Sequence, residues 1–171
     1  MNPLAVFETE RLLLRPAAPQ DAAFIYELLN SPKWLKFIGD RDLDSVSKAE
    51  AYIIEKMLPQ LKKLGFTNNI VIRKSDGAKM GTCGLNARSG FDDLDIGFAF
   101  LPQFEKQGYA FEAAGRIMRF AREELPHYKV TGITSKENLA SQKLLEKLGM
   151  RCAEEISFPG ETEKVLLFRL P

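Results

Sequence analysis

The chain has 171 residues, 45% of them hydrophobic and 27% charged, with a formal net charge of +1. That length supports one domain with a sizeable core and is too short for two ordinary ones, so a single domain over residues 1–171 is expected. The near-neutral balance leaves no basic footprint for nucleic acid or an anionic membrane, and no apolar run reaches the length of a bilayer span.

Residues 1–10 lack a basic stretch followed by an apolar one, so no secretory leader is read there. Residues 7–15 alternate, with Leu12 and Leu14 facing one way and Arg11, Leu13 and Arg15 the other, which predicts a strand ended by Pro16 and Pro19. Residues 21–30 carry Phe24, Ile25, Leu28 and Leu29 at helical spacing, and Ser31-Pro32 closes that helix. Ser47-Lys48-Ala49-Glu50 matches a capping box ahead of Ile54, Met57, Leu58, Leu61 and Leu64. Pro59 falls inside this run and should kink or break it, and Gly65 supplies the stop.

The middle is rich in strands: 69–73, then 79–86 after the Ser75-Asp76-Gly77 turn, then 94–101 after Ser89-Gly90, together an antiparallel meander. A glycine-containing loop, 105–110, leads into a helix over 111–124 that Pro126 stops. A strand at 129–134, a helix at 138–148 ended by Gly149, and strands at 151–157 and 164–169 complete a mixed α/β order. Cys83 and Cys152 are far apart and read as two buried, reduced thiols, consistent with a cytoplasmic chain. His127 is the only histidine, so no zinc site is expected.

The strand-to-loop-to-helix passage from 94 to 114 carries the most chemistry. The first turn of a helix has unpaired N–H groups and a partial positive charge, and Gly108 can take a positive φ that lets a ligand approach the main chain. Such a loop can cradle a diphosphate without many basic side chains, although by itself it also fits an ordinary turn. Residues 138–149 form a helix with Asn138 as N-cap and a terminal glycine, and alone they fit an ordinary capped helix.

Four segments in order are more specific together: Thr9-Glu10-Arg11-Leu12-Leu13-Leu14-Arg15, Asp95-Ile96-Gly97-Phe98, Gly108-Tyr109-Ala110-Phe111-Glu112-Ala113, and Asn138 through Ser141 to Gly149. The combination resembles the GNAT acetyltransferases, and within them the RimJ/RimL-like branch, whose named members acetylate the N-termini of ribosomal proteins. The resemblance covers almost the whole chain. It implies a mixed α/β fold with a central, mostly antiparallel sheet flanked by helices. The family's fourth strand, here 94–101, would carry a bulge and splay from the fifth.

The resemblance also implies acetyl-CoA as co-substrate, no metal, and direct transfer to a primary amine in a ternary complex. Pantetheine would pair with the main chain of Phe98, Ala99, Phe100 and Leu101, where a bulged edge leaves N–H groups free, one of them to stabilise the oxyanion. The diphosphate would rest on N–H groups of Lys106, Gln107, Gly108, Tyr109 and Ala110. Asn138 would hold the coenzyme from the closing helix. Ser141, one turn on, would donate a proton to the departing thiolate.

The chain departs from the family pattern at three positions. Glu105 stands where Gln or Arg is usual and is expected to turn to solvent; Phe111 replaces a threonine; Leu145 replaces a tyrosine acid. Glu105 and Leu145 favour an alternative, a GNAT domain that holds acyl-CoA as a sensor or scaffold. For the general base, Asp95 faces away from Ile96 by alternation and takes the proton if it faces the cleft; otherwise it is a solvated strand-end carboxylate. Asp92, Asp93 and Glu112 are the other carboxylates near the loop, Glu112 being better suited to favouring the helix N-terminus. His127 is expected at the surface. Cys83 as a nucleophile would need a two-step scheme that the resemblance does not imply.

Acceptor choice is expected from residues 34–69 and the loops 86–93 and 157–162. Trp34, Phe37 and Phe66 either line an acceptor pocket or belong to the core, and Asp40, Asp42 and Asp44 either attract a cationic amine or form a solvated loop. The acceptor is a peptide N-terminus or a small amine such as a polyamine, an amino acid or an aminoglycoside. No nucleic-acid or membrane partner is expected, and the chain is expected to be a monomer or homodimer.

Overall fold

The structure is a computed structural model that describes residues 6–171; the leader reading rests in part on residues 1–5, which lie outside it. The alternating N-terminal segment folds as two strands, β1 (Phe7–Glu8) and β2 (Leu12–Pro16), paired antiparallel with Phe7 opposite Leu14. The Thr9 N–H donates to the Leu12 carbonyl at 3.0 Å, and the Leu12 N–H donates to Thr9 Oγ1 at 3.0 Å. This turn divides the single strand expected over 7–15.

A helical layer follows: α1 (Ala22–Leu29), α2 (Pro32–Phe37), α3 (Val46–Tyr52), a wide π turn (Ile53–Met57) and α4 (Leu58–Leu64). Ser31-Pro32 does more than close α1. Ser31 is the extended N-cap of α2 and Pro32 its first residue, where a missing N–H and a fixed φ cost nothing. The N-cap of α3 is Ser45, whose Oγ accepts from the Lys48 N–H at 3.2 Å; the cap lies two residues before Ser47, and with Lys48 at its third helical position the expected capping box does not form. Pro59 breaks the run as expected: the π turn absorbs the lost hydrogen bond, and Pro59 enters the first turn of α4. Gly65, at φ 81°, ends the layer.

The remaining elements are β3 (Asn68–Arg73), β4 (Lys79–Ala87), β5 (Leu94–Phe100), α5 (Tyr109–Glu124), β6 (Val130–Ser135), α6 (Leu139–Lys147), β7 (Arg151–Ile156) and β8 (Val165–Arg169). One eight-stranded sheet forms in the order β1-β2-β3-β4-β5-β6-β8-β7, with β5–β6 its parallel pair. Leu85, Ile96, Ala113 and Ile117 join the core under α5; Ile25, Leu28, Ile53 and Ile70 join the core on the other face, under α1 and α3. Each such large apolar side chain, fully buried, contributes about 2 kcal/mol. Along β5, alternation sends Leu94, Ile96 and Phe98 toward α5 and Asp95, Gly97 and Ala99 toward the α1–α4 layer.

The meander register from Gly81↔Phe100 to Ala87↔Leu94 is unbroken, so β5 carries no bulge against β4. Register shifts occur instead at Val71/Ile72 and at Cys152/Glu154. The parallel pair is short: Leu94↔Val130 and Asp95↔Thr131, after which the strands part. Each keeps its outer neighbour, β5 on β4 and β6 on β8. The splay expected between these strands is present, but divergence rather than a bulge produces it. Cys83 is buried as expected; Cys152 is exposed, because β7 is the outer edge strand and is exposed from Arg151 to Glu155. Among the described residues no helix is long and apolar enough to cross a membrane.

Candidate functional site

The parting of β5 from β6 opens a cleft of about 810 Å³ lined from both faces of the sheet. Its main-chain wall follows from strand geometry. The Leu101 N–H donates to the Met80 carbonyl on β4, at 2.9 Å, and the Leu94 N–H donates to the Lys129 carbonyl on the β6 side, at 2.8 Å. Alternation therefore turns the main-chain groups of Phe98 and Phe100 toward the β6 side, where β6 has already moved away. Ala99 contributes its side chain to the lining. Leu101 does not: its main chain is committed to β4 and its side chain is buried in the core under α1 and α3.

The loop ahead of α5 has two left-handed residues, Lys106 at φ 59° and Gly108 at φ 82°. A lysine in that region is strained by about 1–2 kcal/mol, and such strain concentrates at ligand clamps. Lys106, Gly108, Tyr109 and Ala110 line the cleft; Gln107 does not, because its amide donates back to the Gln103 carbonyl at 3.0 Å and its side chain is exposed. Glu105 turns not to solvent but to Lys33 of α2, in an ion pair at the cleft wall.

Arg11 shapes this loop from a distance of nearly a hundred residues. Its Nη1 donates to the Gln107 carbonyl at 3.1 Å, its Nε donates to Glu112 Oε2 at 2.6 Å, and its guanidinium sits 4.3 Å from the Tyr109 ring centre. Thr9 Oγ1 donates to the other Glu112 oxygen at 2.5 Å. Burial opposes ionisation of Glu112, yet the hydrogen bonds from Thr9 and Arg11 outweigh it and hold the carboxyl below its ordinary range. Glu112 is therefore an anchor outside the lining. Sequence reading noted Thr9 and Arg11 as part of the opening segment but assigned neither a role.

At the start of α6, Asn138 Oδ1 accepts from the Ser141 N–H at 3.2 Å, as an N-cap should, which leaves its amide N–H groups for a ligand. Asn138 and Ser141 both line the cleft. Leu145 is buried directly on Gly132, where an added Cβ would lie 2.4 Å from Leu145 Cδ2.

Asp95 lies at the point where the strands part and is only 2% exposed. Its Oδ2 accepts from Arg88 Nε at 2.9 Å and Nη2 at 2.7 Å, while Oδ1 has no hydrogen-bond partner. Burial pushes its pKa up from 3.8 to about 6, against the opposing pull of the Arg88 charge and hydrogen bonds and of the nearby Ile133 N–H, which does not reach hydrogen-bond geometry with Oδ1. It is thus a buried cleft carboxylate and not a solvated strand end. Asp92 and Asp93 lie outside the lining, with Asp93 3.9 Å from Arg169. His127 is exposed, its ring tilted against that of Tyr128 with centres 4.4 Å apart, and it also lies outside the lining. Burial raises the Cys83 thiol far above its ordinary range, which makes it a poor nucleophile.

On the side of the helical layer the cleft is lined by Trp34, which is also part of the core, and by Phe37, Tyr52, Asn68 and Asn86, all within the expected 34–69 and 86–93 stretches, and by Thr82, which lies outside them. Phe66 belongs to the core, with its ring 6.4 Å from those of Phe120 and Tyr128. The acidic run is a solvated loop: Asp44 pairs with Lys48 at 2.7 Å, and Asp40 accepts from the Asp42 N–H at 2.8 Å.

The family model described as acetyltransferase (GNAT) domain matches residues 11–151. YnaD of Bacillus subtilis, an uncharacterised N-acetyltransferase, is 25% identical over 143 residues, covering 84% of this chain and 81% of that protein. An acetyltransferase from Agrobacterium tumefaciens superposes with a TM-score of 0.82 at 24% identity, covering 100% of this chain and 96% of that one. A ribosomal-protein-S5-alanine acetyltransferase from Vibrio fischeri superposes with a TM-score of 0.77 at 18% identity, covering 96% and 94%. At these identities the two solved structures speak for the fold.

Proposed function

The chain belongs to the GNAT acetyltransferase family, and from that premise we propose that it is a single-domain, cytoplasmic enzyme that carries an acetyl group from acetyl-CoA directly to a primary amine. The observation that carries this reading is the parting of β5 from β6 after Asp95, which leaves the Phe98 and Phe100 main chain unpaired along a cleft that ends at a buried carboxylate.

The residues fit the coenzyme. The unpaired main chain of β5 suits an extended amide-bearing arm. The left-handed Lys106 and Gly108 and the first N–H groups of the 16-residue α5 suit a diphosphate, and Lys33 neutralises Glu105, the carboxylate of that loop. Bound acetyl-CoA supplies an activated acyl thioester. Asp95 takes the proton from the incoming ammonium, directly or through water; the amine nitrogen then forms the new C–N bond as the C–S bond breaks. Main-chain N–H groups of β5 stabilise the oxyanion, and the Ser141 hydroxyl gives a proton to the departing thiolate while taking up, directly or through water, the second proton that the nitrogen sheds as it becomes an amide.

A thiol-release assay with acetyl-CoA and a panel of amines tests the reading. Ser141→Ala is expected to lower kcat about tenfold or more with little change in the KM for acetyl-CoA; an unchanged kcat removes Ser141 from the mechanism. Arg11→Ala is expected to weaken coenzyme A about tenfold, the equivalent of one charge-assisted hydrogen bond, because the loop carbonyl of Gln107 loses its guanidinium donor and Glu112 keeps only Thr9 and the main-chain N–H of residue 11. Calorimetric titration of coenzyme A reads this directly. Leu145 in place of a tyrosine supports the second reading, a sensor or scaffold that binds acyl-CoA, whose signature is coenzyme binding without thiol release. Glu105 no longer argues for it, since Lys33 pairs with it.

A further inference from the structure

Five buried side-chain polar atoms among the described residues have no hydrogen-bond partner, and four of them line this one cleft: Trp34 Nε1, Asn68 Oδ1, Thr82 Oγ1 and Asp95 Oδ1. Trp34, Thr82 and Asp95 are each more than nine-tenths buried. They come from α2, β3, β4 and β5, so register rather than local sequence brings them together: Thr82 lies opposite Ala99, and Asn86 opposite Asp95. Buried polar groups are almost always satisfied, and four orphans facing one space mark a site shaped for an outside partner. Three also line a recess of about 80 Å³ that continues the cleft beneath α3 and the π turn: Trp34, Asn68 and Thr82.

The pattern of these groups is chemically specific. Asn68, Thr82 and Asp95 present acceptor oxygens, which suit an ammonium with several N–H donors; the Trp34 indole can only donate and asks for an oxygen. The charges around them point the same way. The carboxylates of Asp95 and Glu105 are already paired with Arg88 and Lys33, and Glu137, the third carboxylate of the lining, stands beside Asn138 at the coenzyme end; Arg41 on the cleft and Lys56 on the recess have no ion-pair partner among the described residues, and Lys106 and Lys147 add further positive charge to the lining. The charge left for an acceptor to neutralise is therefore positive, which disfavours polyamines and aminoglycosides. Resting on the acetyl-transfer reading, we propose that the acceptor is a small free amino acid, with its amine held by Asn68, Thr82 and Asp95 and its carboxylate taken by Trp34 with Arg41 or Lys56.

The test is a thiol-release assay with acetyl-CoA across free L-amino acids, their carboxamides, diamines and a short peptide with a free N-terminus. At least one amino acid should show a kcat/KM roughly tenfold or more above that of its carboxamide, because an amide leaves the cations unpaired. Trp34→Phe and Thr82→Val, which keep ring and shape, should each raise the amino acid's KM about tenfold and leave the KM for acetyl-CoA unchanged. The Arg41→Ala, Lys56→Ala double variant should erase the preference for carboxylate over amide, a change that loss of packing alone cannot produce. Equal use of carboxamides, or preference for diamines or the peptide, overturns the amino acid reading while acetyl transfer stands. The same holds if Trp34→Phe and Thr82→Val shift the melting temperature alone, which assigns the four groups to internal water. No thiol release with any amine, with coenzyme A still binding, overturns both readings.

Discussion

Asp95→Asn should lower kcat/KM by roughly 10²- to 10⁴-fold near neutral pH, the range that a positioned general base contributes. The substitution keeps the side chain's shape, and the carbonyl of the new amide can still accept from Arg88, but the group can no longer take a proton. In the wild type, burial places the carboxyl near pKa 6, so the ionised, active form grows as pH rises from about 5 to about 7. The kcat/KM profile should climb through that interval and level above it, and Asp95→Asn should lose this limb. The fold should tolerate the change. The native carboxyl binds its proton more tightly than the unfolded chain, whose value is near 3.8, so its ionisation subtracts from stability as pH climbs from about 4 through about 6. A neutral amide avoids that loss, and Arg88, 44% exposed, stays hydrated. A variant that keeps both the wild-type rate and the acid limb would remove Asp95 from the chemistry.

Gly81→Ala should destabilise the protein by about 3 kcal/mol. An added Cβ would lie 2.1 Å from the Ala99 carbonyl oxygen and 2.9 Å from the Phe100 Cα. Both are backbone atoms, so no side chain can swing aside, and β4 must move off β5 at the Gly81↔Phe100 pair. For a chain of this size the melting temperature should fall by roughly 6–12 °C. Because β5, the strand that loses this close partner, carries the main chain of Phe98 and Phe100, coenzyme A binding should weaken with it. Gly115, in the interior of α5 with nothing within 4 Å of its added Cβ, is the control: alanine there should stabilise slightly. Equal melting temperatures for Gly81→Ala and wild type would contradict the tight strand approach on which the cleft wall depends.

The legible parts of this protein were those encoded over short stretches. The meander β3-β4-β5, the glycine loop opening α5 and the Asn138 cap of α6 all follow from residues within one or two turns of each other, and they emerged where the alternation and capping patterns put them. The α2 helix was missed because it is six residues long, too short for periodicity; the Ser-Pro start was its only signal. The hairpin at Thr9–Leu12 hid inside an alternation that continues across the turn. At the site, Asp95 was found by strand alternation, but its burial and its Arg88 partner were not visible. Arg11, which reaches Glu112 across 101 residues, and Lys33, which reaches Glu105 across 72, depend on chain folding that no local pattern encodes. The same is true of the wall formed by Asn68, Thr82 and Asn86, which exists only through strand register.

The strand divergence also separates what evolution can change from what it must keep. The grip proposed for the donor uses peptide groups of β5 and two helix starts, which nearly any sequence of suitable geometry can present. The opposite end of the cleft is defined by individual side chains on α2, β3 and β4. With the acceptor held there as proposed, exchanging a few of those side chains should redirect the enzyme to a new amine while its hold on the donor stays intact.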